Sequence, residues 1–193
     1  MKIVIAGGFG AGKTTLVGTA SDITPISTDE LMTTAAIGTD SLDGVEGKTT
    51  TTVAFDFGRI HLRSQGLELY LFGTPGQERF QFMWEDIVQG ALGAVILADT
   101  RRLADSFDSV NYFLRLRLPF IIAVNQFDDS SRYPIDAIRQ ALRLDPETPV
   151  VACDARDQRS ARHVLISLVK HAYAVSLRAR RPSSSPVRSP HHV

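Results

Sequence analysis

Residues 7–14 read Gly-Gly-Phe-Gly-Ala-Gly-Lys-Thr, directly after an apolar run at 3–6. No other stretch constrains the fold as tightly. A strand that ends in closely spaced glycines and restarts as a helix at Lys-Thr fits the pattern G-x-x-x-x-G-K-[ST]. The glycines let successive backbone N–H groups turn toward a phosphate, and the helix starting near Lys13 adds its positive N-terminal end. Lys13 is placed to reach the β and γ phosphates of a nucleoside triphosphate, and the Thr14 hydroxyl to ligate Mg²⁺. Gly7, Gly8, Phe9, Gly10, Ala11, Gly12, Lys13, Thr14 and Thr15 are therefore candidate nucleotide-binding residues. A mere strand–helix turn has no use for Lys-Thr after the last glycine.

The rest of the chain supplies the frame. Apolar runs at 3–6, 67–72, 93–98, 120–124 and 149–152 read as strands buried on both faces, hence a parallel sheet. Segment 51–62 alternates and is threonine-rich, as an edge strand would be. Ser64, Gln65 and Gly66 then turn the chain into 67–72, which predicts an antiparallel hairpin. Helical patterns fall between the strands, near 13–20, 78–90, 105–117, 134–143 and 158–178. The alternation predicts an α/β sandwich: a mostly parallel six-stranded sheet with one antiparallel edge hairpin and helices on both faces. Residues 21–50 lack periodicity, and a loop that long in a compact domain is expected to be functional.

A chain of 193 residues suits one domain, expected over 1–180. Residues 181–193, rich in proline, serine, arginine and histidine, are expected to form a disordered tail. Arg178, Arg180, Arg181 and Arg188 leave open a contact with anionic lipid or a partner. Lysines plus arginines number 21, as do aspartates plus glutamates, so no overall field points to nucleic acid or membrane. The single cysteine, Cys153, excludes an internal disulfide and reads as a buried strand residue. The histidines show no metal-ligand spacing. No stretch approaches the roughly 18 apolar residues of a membrane span, and no lipidation signal is present. The expectation is a cytoplasmic monomer with at most peripheral membrane contact.

Further patterns follow the phosphate loop. Thr49-Thr50-Thr51-Thr52 precedes Val53-Ala54-Phe55-Asp56-Phe57. Gly73-Thr74-Pro75-Gly76-Gln77-Glu78 ends the strand 67–72. Asn125-Gln126-Phe127-Asp128 follows 120–124, and Cys153-Asp154-Ala155-Arg156 follows the last strand. In order and spacing these motifs resemble those of the Ras superfamily, over nearly the whole chain up to residue 178. The longer phrases DGVEGKTTTTVAFDFGRI, YLFGTPGQERFQFMW, GALGAVILADTRRLADSF and PVVACDARD look like the GTP-binding proteins of actinobacterial conservons. That group is related to the small bacterial GTPases that set cell polarity in gliding. The resemblance implies a switch that binds GTP or GDP with Mg²⁺, hydrolyses GTP slowly, and works beside a roadblock-type regulator and a histidine-kinase-like sensor.

It also implies roles. The Gly76 N–H would bind the γ-phosphate and Gln77 would orient the attacking water. A switch threonine, Thr52 first and Thr51 second, would ligate Mg²⁺ only in the triphosphate state. The Asp128 carboxylate would accept from the guanine N1 and 2-amino groups, Gln126 would lie along the base, and Asn125 would tie this loop to the phosphate loop. In the last motif, which includes Asp154, the Ala155 N–H would bind guanine O6.

Three departures matter. Gly73 stands where most Ras-like proteins carry an aspartate that holds Mg²⁺ through water. Period-two alternation puts Thr52, Ala54 and Asp56 on one face of a strand beside Gly73, so Asp56 is a candidate replacement; a solvent-facing strand aspartate or a salt-bridge partner is the other reading. Gln126 replaces a lysine, which weakens guanine affinity but leaves selectivity to Asp128. Phe9 replaces a common glycine, and no arginine flanks the phosphate loop or the threonine run, so intrinsic turnover is expected to be slow. Two other readings stay open: a nucleotide-binding module without turnover, and a small P-loop kinase. Met83 and Trp84 are expected on the core face of the helix 78–90.

Overall fold

The computed structural model describes residues 1–27, 55–63, 66–75 and 83–179. The strands are β1 (Lys2–Gly7), β2 (Ile26–Ser27), β3 (Asp56–Leu62), β4 (Leu67–Gly73), β5 (Ala91–Asp99), β6 (Phe120–Asn125) and β7 (Val150–Cys153). The helices are α1 (Lys13–Ala20), α2 (Trp84–Val88), α3 (Phe107–Leu116), α4 (Ile135–Ala141) and α5 (Gln158–Ala179). A 3₁₀ segment, Thr100–Ser106, leads into α3.

The apolar runs become interior strands because successive side chains enter two different cores. On one face Ile3, Ile5, Leu71, Val95, Leu97 and Ile121 pack with Leu16 and Val17 of α1 and Val164, Leu165 and Leu168 of α5. On the other, Val4, Ala6, Ile96, Ala98 and Ile122 pack with Trp84, Val110, Phe113 and Ile138. Phe113 is fully buried, edge-on to Tyr112 with ring centroids 5.3 Å apart. Removing such a ring costs about 3–5 kcal/mol. Trp84 is buried in this second core, as its sequence pattern predicts.

The strand order is β2-β3-β4-β1-β5-β6-β7. Strands β4, β1, β5, β6 and β7 run parallel, and β3 is antiparallel to both neighbours. The six expected strands are present. A seventh, the two-residue β2, comes from the stretch read as irregular and covers the outer edge of β3, pairing Ile26 with Phe57. Residues 51–54 of the predicted edge strand, 78–82 of the predicted second helix and the tail lie outside the described residues.

This topology decides where chemistry can gather. Gly7, Gly73, Asp99, Asn125 and Cys153 close β1, β4, β5, β6 and β7, so all stand at one edge of the sheet. Because β3 is antiparallel, its first residue, Asp56, comes to the same edge. Ligands of open α/β sheets bind outside the carboxyl ends of the strands.

Candidate nucleotide-binding site

The phosphate loop departs from β1 through Gly7, whose φ of 138° and close approach to the Leu97 carbonyl exclude a side chain. An added Cβ would stand 2.4 Å from that oxygen. The loop then makes a turn in which the Ala11 N–H donates to Gly8 O at 3.2 Å, with Gly10 at φ 76°. Gly12, at φ 101°, is the residue before α1, and no side chain caps that helix. The first amides of α1 therefore have no partner within the helix and face an anion-binding position. Thr15 is exposed in that first turn, and Phe9 is 65% exposed at the crest of the loop.

Lys13 curls back into this loop. Its Nζ donates to Gly7 O at 2.9 Å and Gly8 O at 2.8 Å, and the residue is only 8% exposed. Burial pulls its pKa down to about 8, against an opposing pull from the Asp56 carboxylate. A phosphate arriving at these two carbonyls would meet a cation already desolvated.

Thr14 Oγ1 donates to Asp56 Oδ2 at 2.7 Å, and Asp56 is itself buried. Asp56 lies against Gly73, where an added Cβ would stand 3.0 Å from Asp56 Oδ2. The expected proximity of Asp56 to Gly73 is thus present, although Thr52 and Ala54 lie outside the described residues. The strand-surface reading of Asp56 is not what the structure shows. Beside this pair, Thr74 is buried and its hydroxyl has no hydrogen-bond partner among the described residues. Hard oxygens in this number suit Mg²⁺, which keeps waters and substrate phosphates as its other ligands. No cluster of three or more His, Cys, Asp or Glu side chains suited to a metal occurs among the described residues.

Asn125 joins three loops. Its Nδ2 donates to Ala11 O at 3.0 Å, and its Oδ1 accepts from the Ala155 N–H at 3.1 Å. Gly12 leaves the room for this: a Cβ there would stand 2.5 Å from Asn125 Nδ2. The Ala155 N–H, read as a donor to the base, thus has a protein partner that a base would have to displace, and Ala155 is buried. The Gln126 N–H donates to Cys153 O at 2.7 Å, which fixes the start of the loop after β6 against β7. Cys153 is buried, and desolvation pushes its thiol up to about 11.

Asp128 is highly exposed, and Arg156 donates to both its oxygens at 2.9 and 3.0 Å. That guanidinium holds the Asp128 carboxyl below the usual carboxylate range. Arg156 also donates to both oxygens of Asp154, within the same loop. The sequence reading gave Arg156 no role. Its position in the last motif was the available signal. Arg102 was missed as well: its Nη2 donates to Phe9 O at 3.2 Å across 93 positions, a distance no local pattern shows. Thr52, Gly76 and Gln77 lie outside the described residues.

A family described as "conserved hypothetical ATP binding protein" matches residues 5–175. The chain belongs to that family. Among curated relatives, this family member is 28% identical to an uncharacterised protein of Methanocaldococcus jannaschii, over 66% of this chain and 71% of that one. It is also 28% identical to the Ras-related protein Rab-10 of Caenorhabditis elegans, over 59% of this chain and 47% of Rab-10. Its fold matches the G domain of the T. maritima FeoB iron transporter, with a TM-score of 0.62 at 16% identity, covering 89% of this chain and 98% of that domain. The FeoB cytosolic domain in its GMPPNP form matches with a TM-score of 0.63 at 16% identity, over 89% of this chain and 64% of that one. The fold is that of P-loop GTPases. No described helix is long and apolar enough to cross a membrane.

Proposed function

We propose that this protein is a small GTPase switch that binds GTP or GDP with Mg²⁺ and hydrolyses GTP slowly. The observation that carries the reading is the Asn125 side chain, which locks the phosphate loop at Ala11 to the loop that holds Ala155. That bridge ties the phosphate loop to the loops that follow β6 and β7, the arrangement a nucleotide held at its phosphates and its base would need. The match to the FeoB cytosolic domain in its GMPPNP form supports nucleotide binding by this fold.

The family description names ATP, whereas the side chains at the base end favour guanine. Asp128 offers two acceptor oxygens, which match the N1–H and 2-amino donors of guanine; adenine has neither donor at those positions. Once the bound base covers Asp128, a ligand that lacks those two donors would leave its oxygens without their match, and that discriminates strongly. Lys13 would neutralise phosphate charge, and Thr14 with Asp56 would hold the metal, which supplies charge compensation at the phosphates when bound. From the sequence, Thr52 and Gly76 would contact the γ-phosphate and Gln77 would hold the water. A cytoplasmic location and partners of the roadblock and histidine-kinase-like classes rest on the resemblance of the sequence phrases.

The test is a titration of nucleotide-free protein with GTP and ATP, followed by single-turnover phosphate release. Tighter GTP binding with slow release of phosphate is expected. Preference for ATP would overturn the base assignment. Tight GTP binding with no release, even with candidate partners added, would leave a binding module in place of a switch.

A further inference from the structure

The phrase that closes β5, Asp99-Thr100-Arg101-Arg102, sends its two arginines to two different loops of the site described above. The Arg101 guanidinium lies 3.8 Å from the centroid of the Phe127 ring. Its Nη1 donates to Asp129 at 2.6 Å, while Nε and Nη2 donate to Asp99 at 3.0 and 2.7 Å. Phe127 and Asp129 flank Asp128 on either side. Arg102 turns the other way. Its Nη2 donates to Phe9 O at 3.2 Å and its Nε to Asp105 at 2.8 Å. Gly8 sits so close to the same Asp105 that an added Cβ would stand 2.6 Å from the Asp105 Cβ. The two side chains diverge where Arg102 breaks the 3₁₀ segment, at φ −143° and ψ 51°.

We propose that Arg101 and Arg102 are positioning residues: they brace the base loop and the phosphate loop on one segment, so that the end of β5 sets how selectively a guanine nucleotide is held. The proposal rests on the guanine-nucleotide reading above. Arg101 holds the loop from both flanks of Asp128, by lying over the Phe127 ring and by its Nη1 bond to Asp129, while its fork to Asp99 anchors the guanidinium at the end of β5. A lysine cannot reproduce that planar, multidentate contact. Arg102 fixes the peptide that joins Phe9 to Gly10. In a trans peptide the N–H points opposite to the C=O, so holding the carbonyl also aims the Gly10 N–H. A donor aimed before the ligand arrives loses no orientation energy when it binds.

The test uses the full chain, a fluorescent guanine nucleotide and competition with unlabelled GDP, IDP and GMP, with GTP as a control for binding. The affinity ratio of GDP to IDP reports the base loop, because hypoxanthine lacks the 2-amino group read by Asp128. The ratio of GDP to GMP reports the phosphate loop. Ratios cancel any general loss of stability. Arg101→Ala is expected to lower the GDP/IDP ratio about tenfold and leave GDP/GMP within about twofold, the loss of one charged hydrogen bond at one end of the ligand. Arg102→Ala is expected to do the reverse, and Arg102→Lys to rescue it incompletely. If Arg102→Ala fails to fold, Asp105→Asn, which loosens the second anchor of Arg102, carries the same measurement. Unchanged ratios in both variants, or equal falls of both ratios in each, would overturn the bracing proposal. A wild-type chain that binds neither GDP nor GTP would instead bring down the functional reading itself, and the bracing proposal with it.

Discussion

Thr14 Oγ1 and Asp56 Oδ2 meet at 2.7 Å, which joins the first turn of α1 to the first residue of β3 across 42 positions. The contact is a donor–acceptor pair only while no cation intervenes. A hydroxyl also carries lone pairs, so a Mg²⁺ ion arriving here can take one from Thr14 and the charge of Asp56. The space left by Gly73 belongs to the same arrangement, because it is Asp56 that fills it.

Asp56→Ala is therefore expected to bind GTP more weakly as Mg²⁺ falls, with the dependence of affinity on Mg²⁺ shifted to higher concentration. The measurement is GTP affinity across a Mg²⁺ series for wild type and variant. Curves with the same midpoint in Mg²⁺ would remove Asp56 from the metal position.

Gly73→Asp tests the same space from the other side. A side chain there meets Asp56 at 3.0–3.2 Å, and its carboxylate adds a like charge. Overpacking of this kind costs about 1–3 kcal/mol, read as a lower midpoint in urea. Combining Gly73→Asp with Asp56→Gly should recover most of that loss and part of the Mg²⁺ dependence, since one carboxylate again occupies the space. A double variant no better than the single one would show that the site needs its carboxylate on β3.

Much of this was legible in the sequence because it is local. The interior strands were marked by apolar runs, and the turn into α1 by its glycines and Lys13. The loops of Asn125 and Asp154 were marked by their places after strands. What escaped is set by tertiary contact. The two-residue β2 is too short for any period to register and exists because β3 offers it an edge. The Ala155 N–H looked free until Asn125 was seen to take it. Arg102 reaches Phe9 only because β1 and β5 are neighbours, with Gly7 in register with Leu97.

Lys13 gives a pH prediction. Burial lowers its pKa from the model-peptide value of 10.5 to about 8 in the nucleotide-free fold. Below about pH 8 the side chain is charged both folded and unfolded, so the full burial penalty is present. As pH rises from about 8 toward the unfolded value, the folded chain sheds the proton first and the penalty is relieved. Nucleotide phosphates act in the opposite sense, holding the proton on Lys13. Binding above about pH 8 must then take up a proton, and affinity should fall as pH rises, by at most tenfold per pH unit for one proton. Titrations of GTP between pH 7 and 9.5 check this. A profile flat throughout would mean that Lys13 does not meet the phosphates.

Asp128 and Arg156 yield the last prediction, because in the proposed function selectivity and access would both act through the same two oxygens. Asp128→Asn leaves one acceptor where the carboxylate has two, and the amide adds a donor that faces the donors of guanine. The variant should lose its preference for GTP and gain affinity for XTP, whose 2-oxo group accepts that new donor. Competition of GTP, ATP and XTP reads both changes, and an unaltered GTP preference would remove Asp128 from the base site. Arg156→Ala should act on rate more than on selectivity. Its guanidinium occupies both Asp128 oxygens at 2.9 and 3.0 Å, so guanine must displace it. The pair is exposed and held weakly, and removing Arg156 should raise the GTP association rate by no more than about fivefold. The GTP/ATP ratio should stay near that of wild type, because the two oxygens remain. Stopped-flow association separates this from a supporting role. If Arg156 instead lies along the bound base, the variant will release nucleotide faster at an unchanged association rate, and the displacement account fails.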